Sequence, residues 1–428
     1  MSSNIEVLQK LKNVKVVLGN GFDLYCGLRT RYSDYYKWRG KDYRELDKRF
    51  TAICNIIYEN TNPAYKKPVV SLFPHLIAIK DANVWDLFSI LYPREGEGFL
   101  WCDIESEMLE SLNNADEPGG YSYKPHWEDV LAVLMGDSAD NHDAGSFLMA
   151  SFIRSKEGQI QWTCESFYDY LLEQLKEFEM RFSYFVTTQH LIYRGMIWVE
   201  NTAYQQNARE LFGLLCNPGE LVSIDCFNYG FVPDPELNAK CHYVNGNWSN
   251  PIFGLDSVFP PDDPRYIFTK TNRRIEWDMN GEVTMNDSEY DNVIVFGHSL
   301  NKHDYSYFFP LLDHLEMTNA VSTKKFIVVY NVYDSANAQM IKSDIRKNLY
   351  SLFSNYAKYK GFAEENINRL LDSLTTQGRV RTFEVPSARH STEGYLDEAY
   401  DVLPFREEIN KSMIESRWNH YLKREGNR

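Results

Sequence analysis

Cysteine is scarce in this sequence and never occurs in a pattern that suggests bridges or metal ligands. The seven cysteines are scattered among apolar neighbours, and no two of them form a C-x-x-C pair. An odd number of isolated thiols predicts reduced, buried side chains. A disulfide framework and a cysteine zinc site are therefore disfavoured.

Long apolar runs are also missing. No stretch approaches the ~18 consecutive apolar residues that a membrane helix needs. The first residues, MSSNIEVLQKLKNVK, lack the apolar core of a signal peptide. These absences predict a cytoplasmic protein with no membrane partner.

Positive charge is in deficit. The chain has 45 basic and 60 acidic residues, which gives a formal net charge of −15. A net acidic surface repels phosphate backbones, so nucleic acid is disfavoured as the main ligand. Apolar content is ample, since 43% of the 428 residues are hydrophobic. That supply suits two or three domains, or one large domain with an insertion.

Glycines follow two of the strongest predicted strands. VKVVL at 14–18 leads into Gly19–Gly21, and the apolar run within 291–300 ends at Gly297. Ligands of open parallel sheets lie beyond the carboxyl ends of the strands, where glycine lets backbone N–H groups approach a phosphate. The turns therefore predict a nucleotide site. A tight turn without a ligand is the alternative, because G-N-G-F-D is not the G-x-G-x-x-G fingerprint.

The order of predicted elements indicates an α/β fold with a parallel sheet. Residues 40–215 show mostly helical patterns. After them, further strands are predicted at 219–230, 240–246, 250–256, 291–300, 324–332 and 378–385, and helices at 335–358, 363–376 and 404–424. A helix is also predicted after Gly27, with Thr30 or Ser33 as its cap.

Five segments, taken in order, resemble the AbiH family of bacterial abortive-infection proteins. They are LGNGFDLYCGLRTRYSDYY (18–36), WCDIESEM (101–108), SIDCFNYG (223–230), HYVNGNWSNPIFGLD (242–256) and VIVFGHSLNKHDYSYF (293–308). The first and last segments are the specific ones. The resemblance covers residues 14–310 in patches and implies a role in phage defence.

A more distant likeness is to the sirtuin-type NAD-binding fold. Its first, second and last motifs are matched in turn by Gly19, Gly21, Asp23, Gly27 and Leu28, by Asn228, and by Gly297, Ser299 and Leu300. The likeness implies a Rossmann-like sheet with NAD or an ADP-ribose-like nucleotide as ligand or substrate, and no tightly bound cofactor. Together with the mostly helical patterns of residues 40–215, this predicts a discontinuous Rossmann-like unit (1–40 and 215–400), a helical insertion or lid (41–214) and a C-terminal helix (401–428).

Three positions depart from these patterns. Asp23 replaces a serine, and a carboxylate near a pyrophosphate is unfavourable unless it faces a ribose hydroxyl or a metal. Asn245 stands where a histidine would precede Gly246, and an amide cannot act as a general base. His242 could substitute, but residues three apart in a strand face opposite sides. Gly230 stands where the AbiH pattern has threonine.

The candidate site follows from the two glycine turns and the family motifs. The predicted nucleotide-binding residues are Gly19, Asn20, Gly21, Phe22, Asp23, Gly27, Thr30, Gly297, His298, Ser299 and Asp304. Three residues are predicted to be catalytic: Asn228 would position ribose or water, and Glu105 or Asp23 would stabilise developing positive charge, with Glu105 also a candidate base. No metal site is predicted, because HSLNKHD lacks a matching ligand cluster.

Each of the three catalytic candidates has a structural alternative. Asp23 suits a helix cap, Asn228 suits a turn, and Glu105 suits the polar side of a helix. The sequence leaves these alternatives open.

The leading function is therefore phage defence through binding of NAD or a related adenine nucleotide, with hydrolysis at the N-glycosidic bond as a further step. A non-catalytic nucleotide sensor or partner-binding module is the alternative. A nuclease is disfavoured, because it needs a metal-bound carboxylate cluster and a basic groove. The helical insertion could mediate a homo-oligomer, and no phage trigger can be read from the sequence.

Overall fold

The computed structural model describes most of the chain after residue 124 and part of the chain before it. The described residues are 6–31, 34–35, 83–91, 105, 108, 111–112, 125–137, 142, 144–158, 160–193, 203–231, 237, 239–248, 250–256, 259–279, 289–332 and 337–388. The predicted helix at 404–424 and most of the helix predicted after Gly27 lie outside these residues.

A six-stranded parallel sheet forms the centre of the described fold. Its strands are β1 Val14–Leu18, β2 Leu221–Cys226, β3 Lys240–Tyr243, β6 Asn292–Phe296, β7 Lys325–Asn331 and β8 Val380–Val385. Their order across the sheet is β3-β2-β1-β6-β7-β8, and all neighbours are parallel. Among these six strands the order is 3-2-1-4-5-6, that of doubly wound nucleotide-binding folds. The predicted α/β, Rossmann-like class is confirmed.

One predicted strand is much shorter than expected. Within 250–256, only β5 (Asn250–Pro251) is a strand, and it pairs antiparallel with β4 (Gly246–Asn247). Ile252 N–H then donates to the Asn245 carbonyl, and Leu255 forms an isolated bridge with Thr269. Proline at 251 has no N–H for a longer ladder, which suits this brief pairing.

The central strands are buried and mostly apolar because helices cover both faces of the sheet. Every residue of β1 and β6 is buried. Leu18 at the end of β1 lies opposite Cys226 of β2 and Phe296 of β6. The three strands therefore end level, and the residues that follow them share one edge of the sheet.

The helices are numbered here in chain order. They are α1 Gly21–Cys26, α2 Val84–Leu91, α3 Trp127–Met135, α4 Ala144–Glu157, α5 Cys164–Tyr193, α6 Ala203–Leu215, α7 Lys270–Met279, α8 Tyr305–His314, α9 Ala338–Tyr359 and α10 Glu364–Thr376. None of these described helices is long and apolar enough to span a membrane.

Helix α1 corrects the local prediction around Gly27. The chain is already helical from Gly21, and Gly27 ends that helix in the left-handed conformation with φ 97°. Leu28 N–H donates to the Asp23 carbonyl at 2.8 Å, which closes a Schellman-type end. Sequence reasoning missed this helix because it spans only six residues.

Three apolar clusters hold these elements together. One joins α1 and α6 to one face of the sheet, and a second joins α8, α9 and α10 to the other. The third is built from α2–α5 and also contains Tyr229, Phe253 and Phe268, which follow β2 in the chain. The helical part therefore packs on the segment between β2 and α7.

Candidate functional site

The two glycine turns contact each other directly. Gly19 N–H donates to the Phe296 carbonyl at 2.9 Å, and Gly21 N–H donates to the Gly297 carbonyl at 2.8 Å. A Cβ on Gly19 would lie 2.4 Å from His298 Cα, and one on Gly21 would lie 2.6 Å from Gly297 Cα. Side chains cannot fit at such distances, so the packing of turn on turn itself requires these glycines.

A cavity of about 390 Å³ lies along the same edge. Its walls include residues that follow or end β1, β2, β6 and β7, so it lies at the carboxyl ends of the strands. It also lies between β1 and β6, where the strand order reverses, which is the usual ligand position in such sheets. Eight predicted site residues line it: Gly19, Asn20, Gly21, Glu105, Gly297, His298, Ser299 and Asp304.

A buried lysine, Lys270, organises the charged wall of this cavity. Its ammonium donates to Glu105 Oε2 at 2.9 Å and to Asp304 Oδ1 at 2.8 Å. Burial lowers the pKa of Lys270, but the two carboxylates outweigh it and raise that pKa above its usual value. Lys270 is therefore a cation at neutral pH and cannot act there as a nucleophile or base.

Lys270, Glu105 and Asp304 form a charged array, and His298 extends this array on the other side of Asp304. Its Nδ1 accepts from Leu300 N–H at 2.9 Å, so its proton lies on Nε2, which is 3.5 Å from Asp304 Oδ2. The left-handed backbone of Leu300, with φ 56°, allows this return of the chain. Burial would raise the pKa of Asp304, but Lys270 and His298 hold it well below its usual range.

Glu105 is the carboxyl group of the array whose pKa moves the other way. Burial raises its pKa, the neighbouring Asp304 raises it further, and Lys270 only partly opposes them. A carboxyl group with a raised pKa on a cavity wall is typical of general acid–base catalysts. Asp103, in the same WCDIESEM segment, lies outside the described residues.

Asp23 and Asn228 lie together beside the cavity and do not line it. Both are fully buried. Asp23 Oδ2 accepts from Gly230 N–H at 3.2 Å, and Asn228 lies against the same carboxyl group. Burial raises the pKa of Asp23 to about 8. Asp23 is therefore a neutral acid at pH 7, and its carboxyl group binds the loop after β2 and does not cap α1.

Two buried polar atoms in the described loops after β1 and β2 lack partners. Among the described residues, neither Asn20 Nδ2 nor Asn228 Oδ1 has a hydrogen-bond partner. Both side chains belong to loops that directly follow neighbouring strands, β1 and β2. A water molecule or a ligand hydroxyl would satisfy such buried amide atoms.

The remaining predicted residues support the first turn from behind. Phe22 is buried against Tyr204, Phe212 and Phe231. Thr30 donates to Asn20 Oδ1 at 2.7 Å, and Gly27 ends α1. None of these three lines the cavity.

The departures from the family pattern have distinct places. Asn245 lines the cavity, and its Oδ1 accepts from Arg274 of α7 at 3.0 Å. His242 lies in β3 opposite Asp225, with 3.8 Å between His242 Nδ1 and Asp225 Oδ1, and is absent from the cavity lining. His242 thus does not take the position of the missing histidine.

Sequence reasoning missed Lys270 and Arg31. Both line the cavity, and they are the only Lys or Arg side chains among its described lining residues. The sequence feature that points to Lys270 is the group of basic residues in FTKTNRR, within a chain that is otherwise acidic.

Among the described residues, no group of three or more His, Cys, Asp or Glu side chains could hold a metal ion.

Comparison with known proteins gives one match. The model of the family described as bacteriophage abortive infection AbiH matches residues 16–219, from the first strand to the turn before β2. No curated protein and no solved structure matches the chain. The matched segment contains the first glycine turn and Glu105, and over this segment the chain is similar to the AbiH family, which supports the resemblance found in the sequence.

Proposed function

We propose that the protein acts in abortive infection by binding NAD or a related adenine nucleotide in the cavity and hydrolysing its N-glycosidic bond. The observation that carries the proposal is the position of the cavity at the reversal of the 3-2-1-4-5-6 strand order. In sheets of this order, that crevice is where dinucleotides bind.

The lining of the cavity suits the parts of such a ligand. Five apolar or aromatic residues belong to the lining: Leu24, Tyr25, Val328, Tyr330 and Ile345. They would cover a planar base. The exposed Arg31 of the lining would pair with a phosphate, and the free amide nitrogen of Asn20, which also belongs to the lining, would bind a ribose hydroxyl.

The charged wall supports the hydrolytic step. A water oxygen would attack C1′ of the ribose while the C1′–N bond breaks, and the base would leave with the bonding electrons. Glu105, in its ionised form, would accept the proton of that water and stabilise positive charge on the ribose. The products are the free base and the ADP-ribose-type remainder, with one proton released.

A nucleotide sensor without turnover is the second candidate. Asn245, an amide, stands on the cavity wall where the motif would have histidine. An amide cannot exchange a proton near neutral pH, so this position supplies no acid–base group. The sensor would use the same cavity and the same contacts.

The test combines turnover with binding in the purified protein. Release of nicotinamide from NAD is followed by chromatography, and the melting temperature is measured with NAD and with ADP-ribose. The variants are Asn228→Ala and Glu105→Gln, with the exposed Glu365→Gln of α10 as the matched control. Removing a general base is expected to slow turnover by about 10²–10⁴-fold.

The outcomes separate the candidates. Turnover that Glu105→Gln abolishes and Glu365→Gln preserves supports hydrolysis at this wall. A rise in melting temperature without turnover supports the sensor, since a ligand that binds the folded state alone stabilises it. If the protein shows neither turnover nor a shift in melting temperature, both candidate functions are refuted.

A further inference from the structure

Lys270 joins two parts of the chain that are distant in sequence. Its side chain is 2% exposed, and its ammonium contacts Glu105 from the helical region and Asp304 from the turn before α8. A desolvated ammonium group needs one carboxylate to balance its charge. This lysine has two, so charge balance alone leaves the second carboxylate unexplained.

Gly254 shows that the chain is shaped around this contact. Its backbone N–H donates to the Glu105 carboxyl group. A Cβ at this position would lie 3.3 Å from Lys270 Cγ and 3.0 Å from the Phe268 carbonyl oxygen. One glycine therefore holds Glu105 and also leaves room for the Lys270 side chain.

We propose that Lys270 is the positioning residue of the cavity: supported by Asp304, its ammonium holds the Glu105 carboxyl group toward the ligand and favours its ionised form. The positioning of a reacting group rests on the proposed function. The array itself does not, and it can be tested without a ligand.

The charged and titratable groups around Glu105 come from three elements. Lys270 and Arg274 belong to α7, Asp304 to the turn before α8, and Tyr229 to the loop after β2. His298 acts on Glu105 through Asp304. In this set, Lys270 favours the ionised form of Glu105 and Asp304 opposes it. Removing the charge of Lys270 should therefore raise the pKa of Glu105, and removing the charge of Asp304 should lower it.

The sign of the effect on stability follows from the raised pKa of Glu105. Because the folded state binds the proton more tightly than the unfolded state, ionisation of Glu105 destabilises the fold. Stability is lost as pH rises from 4.5, the ordinary pKa of a glutamate, to the pKa of Glu105 in the folded protein. Glu105→Gln removes this loss, so the difference in melting temperature between Glu105→Gln and its parent reports the titration.

The experiment measures that difference from about pH 4 to pH 9 in four backgrounds: wild type, Lys270→Met, Lys270→Arg and Asp304→Asn. In Lys270→Met, the titration should move up by about 1–3 pH units, the shift that one nearby charge produces. In Lys270→Arg it should remain near the wild-type position, and in Asp304→Asn it should move down.

A purely structural role gives a different result. Lys270→Met would then lower the melting temperature equally at every pH and leave the difference profile in place, which overturns the proposal. If Lys270→Met does not fold, Asp304→Asn and Lys270→Arg decide the question, because an unmoved profile in Asp304→Asn also refutes the array.

A second part of the experiment tests the ligand independently of the titration. NAD is added to the same variants at the pH where Glu105 is ionised in wild type and protonated in Lys270→Met. The expected result is that Lys270→Met slows turnover at that pH and regains part of it at higher pH. A shifted titration with no response to NAD in any variant leaves the array standing and refutes the proposed ligand; turnover that Lys270→Met leaves unchanged refutes the positioning role.

Discussion

Asp23 should make the stability of the protein fall as pH rises. Burial raises its pKa from 3.8 to about 8, so the folded protein retains a proton that the unfolded chain loses. The stabilisation is fully present below pH 3.8 and is lost as pH rises through about 8. Asp23→Asn keeps an acceptor for Gly230 N–H but cannot ionise. The variant should therefore gain stability relative to wild type over this window.

The magnitude follows from the interval between the two pKa values. About four pH units at 1.36 kcal/mol each give an upper limit of about 5–6 kcal/mol. Relaxation of the loop around Gly230 would reduce it, and we expect at least about 1–2 kcal/mol between pH 5 and pH 8. Even the lower value is a large fraction of the stability of a typical domain.

The assay is urea unfolding followed by tryptophan fluorescence at several pH values, for wild type and Asp23→Asn. Only the difference between the two proteins is used, because the other titrating groups then cancel. Asp372→Asn, at an exposed position of α10, controls for the substitution itself. A difference that stays constant from pH 5 to pH 8 would refute the argument, since Asp23 would then ionise as readily in the fold as in the unfolded chain.

Three further substitutions test individual contacts. Gly230→Ala puts a methyl group 2.4 Å from Asp23 Oδ2, so urea unfolding should show a loss of about 1–3 kcal/mol, partly recovered by adding Asp23→Ala. An additive double variant would contradict that clash. Arg273→Met leaves the buried Glu179 carboxylate without its partner, and about 3–5 kcal/mol should be lost; a loss below about 1 kcal/mol would argue against a buried ion pair. Arg31→Glu should weaken NAD binding by about tenfold or more in calorimetry, most strongly at low salt, and an unchanged Kd would exclude the phosphate contact.

The sheet could be predicted well from the sequence because its central strands are short, mostly apolar and bounded by polar or glycine residues. Five of the predicted strands contain β2, β3, β6, β7 and β8, and 14–18 coincides with β1. The helices predicted at 335–358 and 363–376 correspond closely to α9 and α10. In each case the local pattern and the tertiary packing favour the same structure.

The site was only partly predictable, because its charges come together through the fold. Lys270 contacts Glu105, which lies 165 residues earlier in the chain, and no local pattern encodes that contact. The glycine turns were found, but the reason for glycine includes their mutual packing as well as any ligand. The sequence presents Asp23 as an ordinary carboxylate, and only its full burial raises its pKa to about 8.

The protonation of Asp23 also removes an electrostatic objection to nucleotide binding beside it. A carboxylate beside a pyrophosphate would repel it, and that concern arose from the sequence. A neutral carboxyl group carries no such cost, and Asp23 is directed at Gly230 beside the cavity. Its predicted contact with ligand stays a prediction.

The position of β1 in the sheet sets an order for folding. β1 lies at the centre, yet Val14 pairs with Leu221 and Asn292, both more than 200 residues further along the chain. During synthesis the strand emerges long before either neighbour exists, and closing so long a loop is slow. β6, β7 and β8 are closer in sequence and can pair first. VKVVL would then insert last between β2 and β6, and until then this apolar segment needs protection from pairing with other chains.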